Sequence, residues 1–568
     1  MNIIDIQKGQ EMETNNIPDS RGSNFFTMDP YSGPLLKTYL PASLYAHLLP
    51  VFNELGAAVG SRLDELADTA DKNPPQLSVR NRQGQDACTV TKHPAYVELE
   101  KMAYEKLGLA AMSHRPGVLD WDQPFPPAAK YALSHLFVQA EFGLCCPVSM
   151  TDSLARTLKK FGDPALVEQV LPQVTATEFA DLQQGAMFMT EQAAGSDVSA
   201  TQVIAQPQQD GHWRLTGDKW FCSNPDAGFA MVLARSEDAD GLKGVSLFLL
   251  PKIAPDGSPN QYRILRLKDK LGTRSMASGE IRLEGAFAWL VGERGKGFQQ
   301  MADMINNSRL SNGMRAAGLM RRAVSEAVYF CGHRKAFGKR LIEMPLMQRQ
   351  LVKMMTRAEQ ARSVMFQTAT ALEKADGGDE FSRDLLRILT PLIKFRACRD
   401  ARVVTGDAME VRGGCGYIEE WVEPRLMRDA HLGSIWEGTS NIVALDVLRA
   451  IRKSDGLTAL QTHVQTLLET GRPCEASMAG LQADCIDNTF ALARRVADSD
   501  DAVMARQVAS ALYHVAALAG MRWEAAHAGL ESRAMLADQV LIHRLAPRDP
   551  LSQTKCEGAM QALLAYAL

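Results

Sequence analysis

The chain has 568 residues, 46% of them hydrophobic and 23% charged, which at roughly 150 residues per domain predicts three or four domains. Such a chain can bury a large core, so wholesale disorder is excluded. A net charge of −4 gives no whole-molecule basic field of the kind that holds nucleic acid. The ten cysteines contain no C-x-x-C pair, so neither a zinc site nor a redox dithiol is expected, and no metal is predicted. The N-terminal MNIIDIQKGQEMETNN lacks the apolar stretch of a signal peptide. No apolar run reaches the roughly 18 residues of a membrane span. The expectation is a cytoplasmic protein with reduced, mostly buried thiols and no membrane partner.

Residues 1 to about 40 read as a polar arm lying on the body. From Pro41 to about 175, apolar residues recur at helical spacing, as with Leu48, Val51, Leu55, Val59 and Leu63 on one face. Prolines at 74–75, 94 and 124–127 punctuate this stretch. Near 183 the pattern changes. HWRLTGDKWFCSN, FAMVLARS, GVSLFLLPK and GEIRLEGAFAWL are β-branched or aromatic runs between turn residues, which predicts antiparallel sheet to about 292. Helical periodicity returns after Gly295, holds to about 450, and resumes through 451–568. The domains expected are therefore an arm and helices (1–182), a sheet (183–292), a helical bundle (293–450) and a C-terminal helical domain (451–568).

Five segments could carry chemistry. MFMTEQAAGSDVSAT (187–201) opens the sheet region with hydroxyls and flexible backbone that can hold phosphate or a polar ring edge, though it reads equally as a plain turn. GDKWFCSN (217–224) pairs aromatics with a small hydroxyl, and on its own is an ordinary strand. HRKAFGKRLI (333–342) sets basic residues beside Gly338, as a phosphate grip or as a solvated helix end. EVRGGCGY (410–417) is a glycine cluster between helices, where backbone can approach a ligand closely. In SIWEGTSNI (434–442), Glu437 sits between Trp436 and Gly438. That suits a general base raised by desolvation, and equally a residue of a helix's first turn.

In this order and spacing, the five segments resemble those of the acyl-CoA dehydrogenase family, over about 130–450. NPP (73–75), HPA (93–95), LKDKLGTRS (267–275), LDVLR (445–449) and the long C-terminal extension narrow the resemblance to its AidB-like, adaptive-response branch. It implies a mainly helical fold with a central antiparallel β domain, plus a C-terminal helical extension. It implies FAD, with Met189 and Thr190 at the isoalloxazine edge, Ser196 at the pyrophosphate, and Phe221 as the stacking aromatic. Ser223 would stand near N5, while Thr439 and Asn441 would also touch FAD. Arg334 and Phe337 would come from a neighbouring subunit, and Gly413 and Gly414 would approach the adenosine. Glu437 would be the base that takes the α-proton of an acyl-CoA, and Arg309 would face the substrate channel. A homotetramer built as a dimer of dimers, and an electron-transfer flavoprotein as oxidant, follow from the same likeness.

Some positions depart from the family pattern. Pro345 replaces a Gln that touches FAD. Glu410 replaces another and brings a negative charge that Arg412 is expected to offset. Met276 and Ala277 stand where a polar run faces the CoA, so substrate is the weakest inference. The branch is associated with DNA through its C-terminal domain. Here 451–568 holds eleven basic residues against thirteen acidic ones, which argues against a duplex-binding surface. The alternative kept open is a flavoprotein acting on a non-CoA substrate, or one associated with DNA in alkylation stress.

Overall fold

A computed structural model describes residues 16–499, 501–547, 551 and 557–567. The first fifteen residues of the expected arm lie outside that range. Helices α1 (Ser32–Tyr39), α2 (Ala42–Val59) and α3 (Arg62–Lys72) follow the arm, and the run at 44–67 breaks at Gly60–Ser61. A Cβ at Gly60 would lie 1.8 Å from the Ser23 carbonyl oxygen, so the arm's close approach requires a glycine there.

The helical expectation for 41–175 misses a hairpin, β1 (Gln76–Arg80) with β2 (Asp86–Thr91). Both strands are largely exposed, so no buried alternation marked them in the sequence. Beyond them come α4 (Pro94–Lys101), α5 (Pro127–Phe137), α6 (Cys145–Phe161) and α7 (Pro164–Val174). Three of these start on proline, and Asp163 caps α7 by accepting from the Ala165 N–H.

Seven strands form the sheet: β3 (Gly185–Phe188), β4 (Ile204–Pro207), β5 (Trp213–Ser223), β6 (Phe229–Arg235), β7 (Val245–Pro251), β8 (Tyr262–Leu267) and β9 (Ser278–Val291). Pairing is antiparallel except where β3 and the start of β4 run parallel to β6. Strand β6 is buried on both faces. Ala230, Val232 and Ala234 join Trp213 and Phe248 in the sheet's own core, while Met231 and Leu233 face the helices. That two-sided burial welds the sheet to the bundle.

The bundle is α8 (Gly297–His333), a two-residue hairpin β10 (Lys335–Ala336) and β11 (Lys339–Arg340), then α9 (Pro345–Asp376) and α10 (Glu380–Arg412). Short α11 (Glu423–Gly433) and α12 (Ser440–Lys453) close it. The C-terminal α13 (Gly456–Thr470), α14 (Ala476–Ser499), α15 (Ala505–His527), α16 (Glu531–Val540) and α17 (Glu557–Ala567) complete the fold, with α13 and α15 packing on α10. A buried charge network crosses the joint: Arg362 pairs with Asp29 of the arm and Glu359, and Arg533 pairs with Glu359 and Glu524. Among the described residues, no helix is long and apolar enough to cross a membrane, and no group of three or more His, Cys, Asp or Glu could hold a metal.

Candidate active site

The loop between α11 and α12 carries Glu437. Its backbone is left-handed at Glu437 (φ 54°) and at Gly438 (φ 97°). Glycine adopts that conformation freely, but a glutamate there costs about 1–3 kcal/mol and persists only where its surroundings hold it. Two cations do so. Arg309 of α8 donates from Nε to the Glu437 carbonyl at 3.1 Å and from Nη1 to Asp446 of α12 at 2.7 Å. Lys394 of α10 donates from Nζ to the Gly438 carbonyl. Asp446 also receives Arg387 at 2.8 Å, which fixes α12 to the start of α10.

The carboxylate itself stays uncommitted. Glu437 Oε2 is out of contact with solvent and has no hydrogen-bond partner. Burial pushes its pKa above the ordinary carboxylate value, against the Ser308 hydroxyl and the charges of Arg309, Lys394 and Arg315. Burial likewise brings Lys394 down to about 8. Trp436 lies parallel to Phe142, with ring centroids 6.3 Å apart, and the Arg315 guanidinium sits 5.1 Å and 5.4 Å from the two rings.

A second group belongs to the sheet. The loop after β3 brings Met189 and Thr190, both half-buried, alongside β5. Lys219, fully buried on β5, donates to Glu191 (2.6 Å), Leu233 O (2.7 Å) and Met189 O (3.3 Å). Glu191 accepts in turn from the Gln202 N–H at 2.6 Å, and the Trp220 N–H donates to Thr190 O at 2.8 Å. The loop is therefore pinned from below. Above it Phe221 is 55% exposed, Ser223 is half-buried and Ser196 is exposed. Asn224 (φ 56°) ends the strand and donates to Gln184 Oε1 at 3.0 Å.

The third group lies at the far end of the bundle. Arg334 closes α8, and the β10–β11 turn holds Phe337 and Gly338 with φ of 51° and 75°. Phe337 is 96% exposed. Gly413 (φ 70°) and Gly414 follow α10 and have nothing within 4 Å of where a Cβ would stand. Arg412, expected to offset Glu410, does not. It is buried and donates to Glu423 at 2.5 Å and to Glu326 at 2.9 Å, leaving Glu410 exposed on the other side of the helix. A side chain already paired inward has no charge to lend outward.

Helix geometry separates this end from the base. At 1.5 Å per residue, Arg334 stands about 37 Å along α8 from Arg309, which touches Glu437. Gly413 stands about 28 Å along α10 from Lys394 by the same measure. The structure thus joins Glu437 to Arg309 and joins the sheet residues to one another, while Arg334, Phe337, Gly413 and Gly414 form a remote cluster. Thr439 and Asn441 follow the base and are exposed. Arg309, expected to face the substrate channel, bonds the Glu437 backbone and Asp446. Met276 and Ala277 are buried, which removes them from any open groove.

Residues 15–181 match the AidB N-terminal domain, 186–286 the acyl-CoA dehydrogenase middle domain, and 295–452 its C-terminal domain. The AidB protein of Escherichia coli is 34% identical over 421 residues, which is 72% of this chain and 74% of that one. The chain belongs to the acyl-CoA dehydrogenase family. Acyl-CoA dehydrogenase family member 11 of Caenorhabditis elegans is 30% identical over 78% of this chain and 73% of its own. The solved structure of Caenorhabditis elegans ACDH-11 in complex with C11-CoA superposes with a TM-score of 0.85 at 25% identity. That match covers 96% of this chain and 95% of that chain.

Lys394, Lys219, Asp446 and Arg315 were not found by sequence reasoning. Lys219 lay inside the quoted GDKW segment, where a lysine amid β-branched and aromatic neighbours was a signal. The other three sit on amphipathic helices, where nothing local separates a clamp from a solvated charge.

Proposed function

We propose that the chain is an FAD-dependent acyl-CoA dehydrogenase with Glu437 as its base. The observation that supports this most is the buried, unpartnered Glu437 Oε2, on a strained loop that two cations hold from behind. A carboxylate oxygen kept from water and without a hydrogen-bond partner makes a stronger base than a solvated one. In this reading Oε2 removes the α-proton of the thioester. Arg309 and Lys394 keep the carboxylate aimed while its charge is neutralised, so positioning is paid for in the folded state.

The residues present fit a flavin. Thr190 and Ser223 offer hydroxyls beside a pinned loop, and Phe221 presents an exposed ring next to them. When bound, FAD supplies the acceptor for the hydride leaving Cβ. Met189, Thr190, Ser196, Phe221 and Ser223 would hold its isoalloxazine and pyrophosphate, with Thr439 and Asn441 from the base loop. The group Arg334, Phe337, Gly413 and Gly414 would serve the FAD of a second copy, since it stands far along α8 and α10 from the contacts of Glu437. Exposed Phe337, Leu346 and Tyr417 at that end suit burial against another subunit, as in a dimer of dimers. An electron-transfer flavoprotein would then reoxidise the flavin.

The test is an anaerobic absorbance titration of the purified yellow protein with straight-chain, branched and dicarboxylic acyl-CoAs. Bleaching of the oxidised-flavin band by at least one thioester is the expected result. A flavoprotein that no acyl-CoA bleaches would overturn the reading.

A further inference from the structure

Arg315 is the one large side chain at the base that the mechanism does not use. It is 0% exposed, projects from the middle of α8, and lies beside the stacked pair of Trp436 and Phe142, in cation–π range of both rings. Among the described residues no carboxylate comes within ion-pair range of it, and its Nη1 has no hydrogen-bond partner. Its Nε reaches Ser311 O within its own helix at a long 3.4 Å, and the guanidinium also meets the Cys146 sulfur. The Cys145 and Cys146 thiols of α6 face it, raised by burial and so neutral. From α10 comes a second cation, Lys394, with Cys398 beside it. Glu141 is the other carboxylate nearby, and it is engaged by Ser275 Oγ (2.9 Å) and the Leu144 N–H (3.2 Å).

An uncompensated buried charge is expensive, and proteins retain one where a ligand or reaction completes it. The Glu437 carboxylate faces Arg315 and Lys394 together, and the Arg315 Nη1 is left without a hydrogen-bond partner. The guanidinium borders the ring of Trp436, the residue directly before Glu437, so an acyl group whose α-carbon meets Glu437 would have this cation close by. Phe142 and Trp436 form one apolar side next to it. A plain fatty chain would leave Nη1 unpaired against hydrocarbon. A chain ending in a carboxylate would pair with it through a charge-assisted, bidentate contact.

We propose that Arg315 binds the far carboxylate of a dicarboxylic acyl-CoA, making the preferred substrate a thioester whose acyl chain ends in an anion. This rests on the dehydrogenase reading above and specifies its substrate class. The reaction is unchanged: the α-proton goes to Glu437, the Cβ hydride leaves as before, and the distal carboxylate takes no part in bond changes.

The experiment compares chain-matched pairs on the wild-type holoenzyme, adipoyl-CoA against hexanoyl-CoA and glutaryl-CoA against pentanoyl-CoA, by anaerobic flavin bleaching. The dicarboxylic member should lead in kcat/KM by about tenfold or more, since a site built for a polar group rejects the analogue lacking it. Arg315→Met should abolish that lead chiefly through KM, and Arg315→Lys should restore part of it. Binding of an ω-carboxyalkyl-CoA thioether and its plain alkyl counterpart, measured by calorimetry, gives the same discrimination without turnover. Equal or better use of the neutral thioesters by the wild-type protein, with no thioether preference, overturns the proposal. If neither thioester class bleaches the flavin, the dehydrogenase reading fails, while the thioether pair still decides whether Arg315 is an anion site.

Discussion

The two halves of the proposed reaction centre are built on opposite terms. Around Glu437 everything is supplied within one chain: two cationic clamps, a desolvated carboxylate, and helices packed on every side. Around the residues assigned to the cofactor the chain is open. Phe221, Phe337, Gly413, Gly414, Ser196, Thr439 and Asn441 all face solvent, and the bundle-end cluster lies too far from the base to share its flavin. A proton acceptor gains strength from enclosure, whereas a bound dinucleotide must be admitted and then covered. In the proposed reading, the contrast means that the base half is finished by folding and the cofactor half by assembly.

The largest expected effect breaks the closed half. Glu437→Gln keeps the shape of the side chain and removes the base, so flavin reduction by a reactive acyl-CoA should slow by about 10²–10⁴-fold. FAD content should stay normal, as read from absorbance. Full turnover in that variant would remove Glu437 from its role.

The open half should respond in the reverse way. Arg334→Ala deletes a cation at the bundle end, about 37 Å along α8 from the base contact. A charge-assisted hydrogen bond is worth about 1.5–3 kcal/mol, so FAD affinity should fall by about 10–100-fold. Sedimentation should show the oligomer weakening with it, while chemistry in the FAD-saturated fraction stays near wild type. Unchanged FAD occupancy and assembly would mean that the cofactor half is complete within one chain.

What the sequence disclosed divides along the same line. Glu437, the glycine pair and the sheet strands were visible because each is a local pattern: a short motif, a conformational need, a two-residue alternation. The contacts that hold the loop of Glu437, the proposed base, are not local. Arg309 reaches Glu437 across 128 positions and Lys394 reaches Gly438 across 44. Neither contact leaves a trace in helical periodicity. The β1–β2 hairpin was missed for a different reason, since an exposed strand carries no burial signature. The inward turn of Arg412 was missed because sequence gives a charge but not the helix face it joins.

The frame that encloses the base also sets an acid limit on folding. His135 and His514 are buried and held neutral, with pKa values lowered to about 3, by desolvation first and by nearby arginines second. Below pH 6.5 the unfolded chain takes up protons at these positions and the native chain does not, so stability falls as pH falls towards 3. Each histidine contributes a slope of up to about 1.4 kcal/mol per pH unit. Denaturant melts between pH 7 and 5 should show this slope, and His514→Gln should reduce it by one histidine's share. Saturating FAD should raise stability at every pH without changing the slope, because neither histidine is among the residues proposed to hold the cofactor.

The smallest effect separates aiming from basicity within that half. Lys394 both fixes the Gly438 carbonyl and lowers the pKa of Glu437 by its charge, though burial keeps the net shift upward. The acid limb of the kcat profile should therefore lie above the ordinary carboxylate value of 4.5 in the wild-type enzyme. Lys394→Met removes the charge and the clamp together. The acid limb should move further up, and the plateau rate should fall through loss of aim. Lys394→Arg keeps the charge and should hold the acid limb in place while losing part of the plateau. A limb that stays fixed in Lys394→Met would mean that the lysine acts on the loop's shape alone, and that enclosure by itself tunes the base.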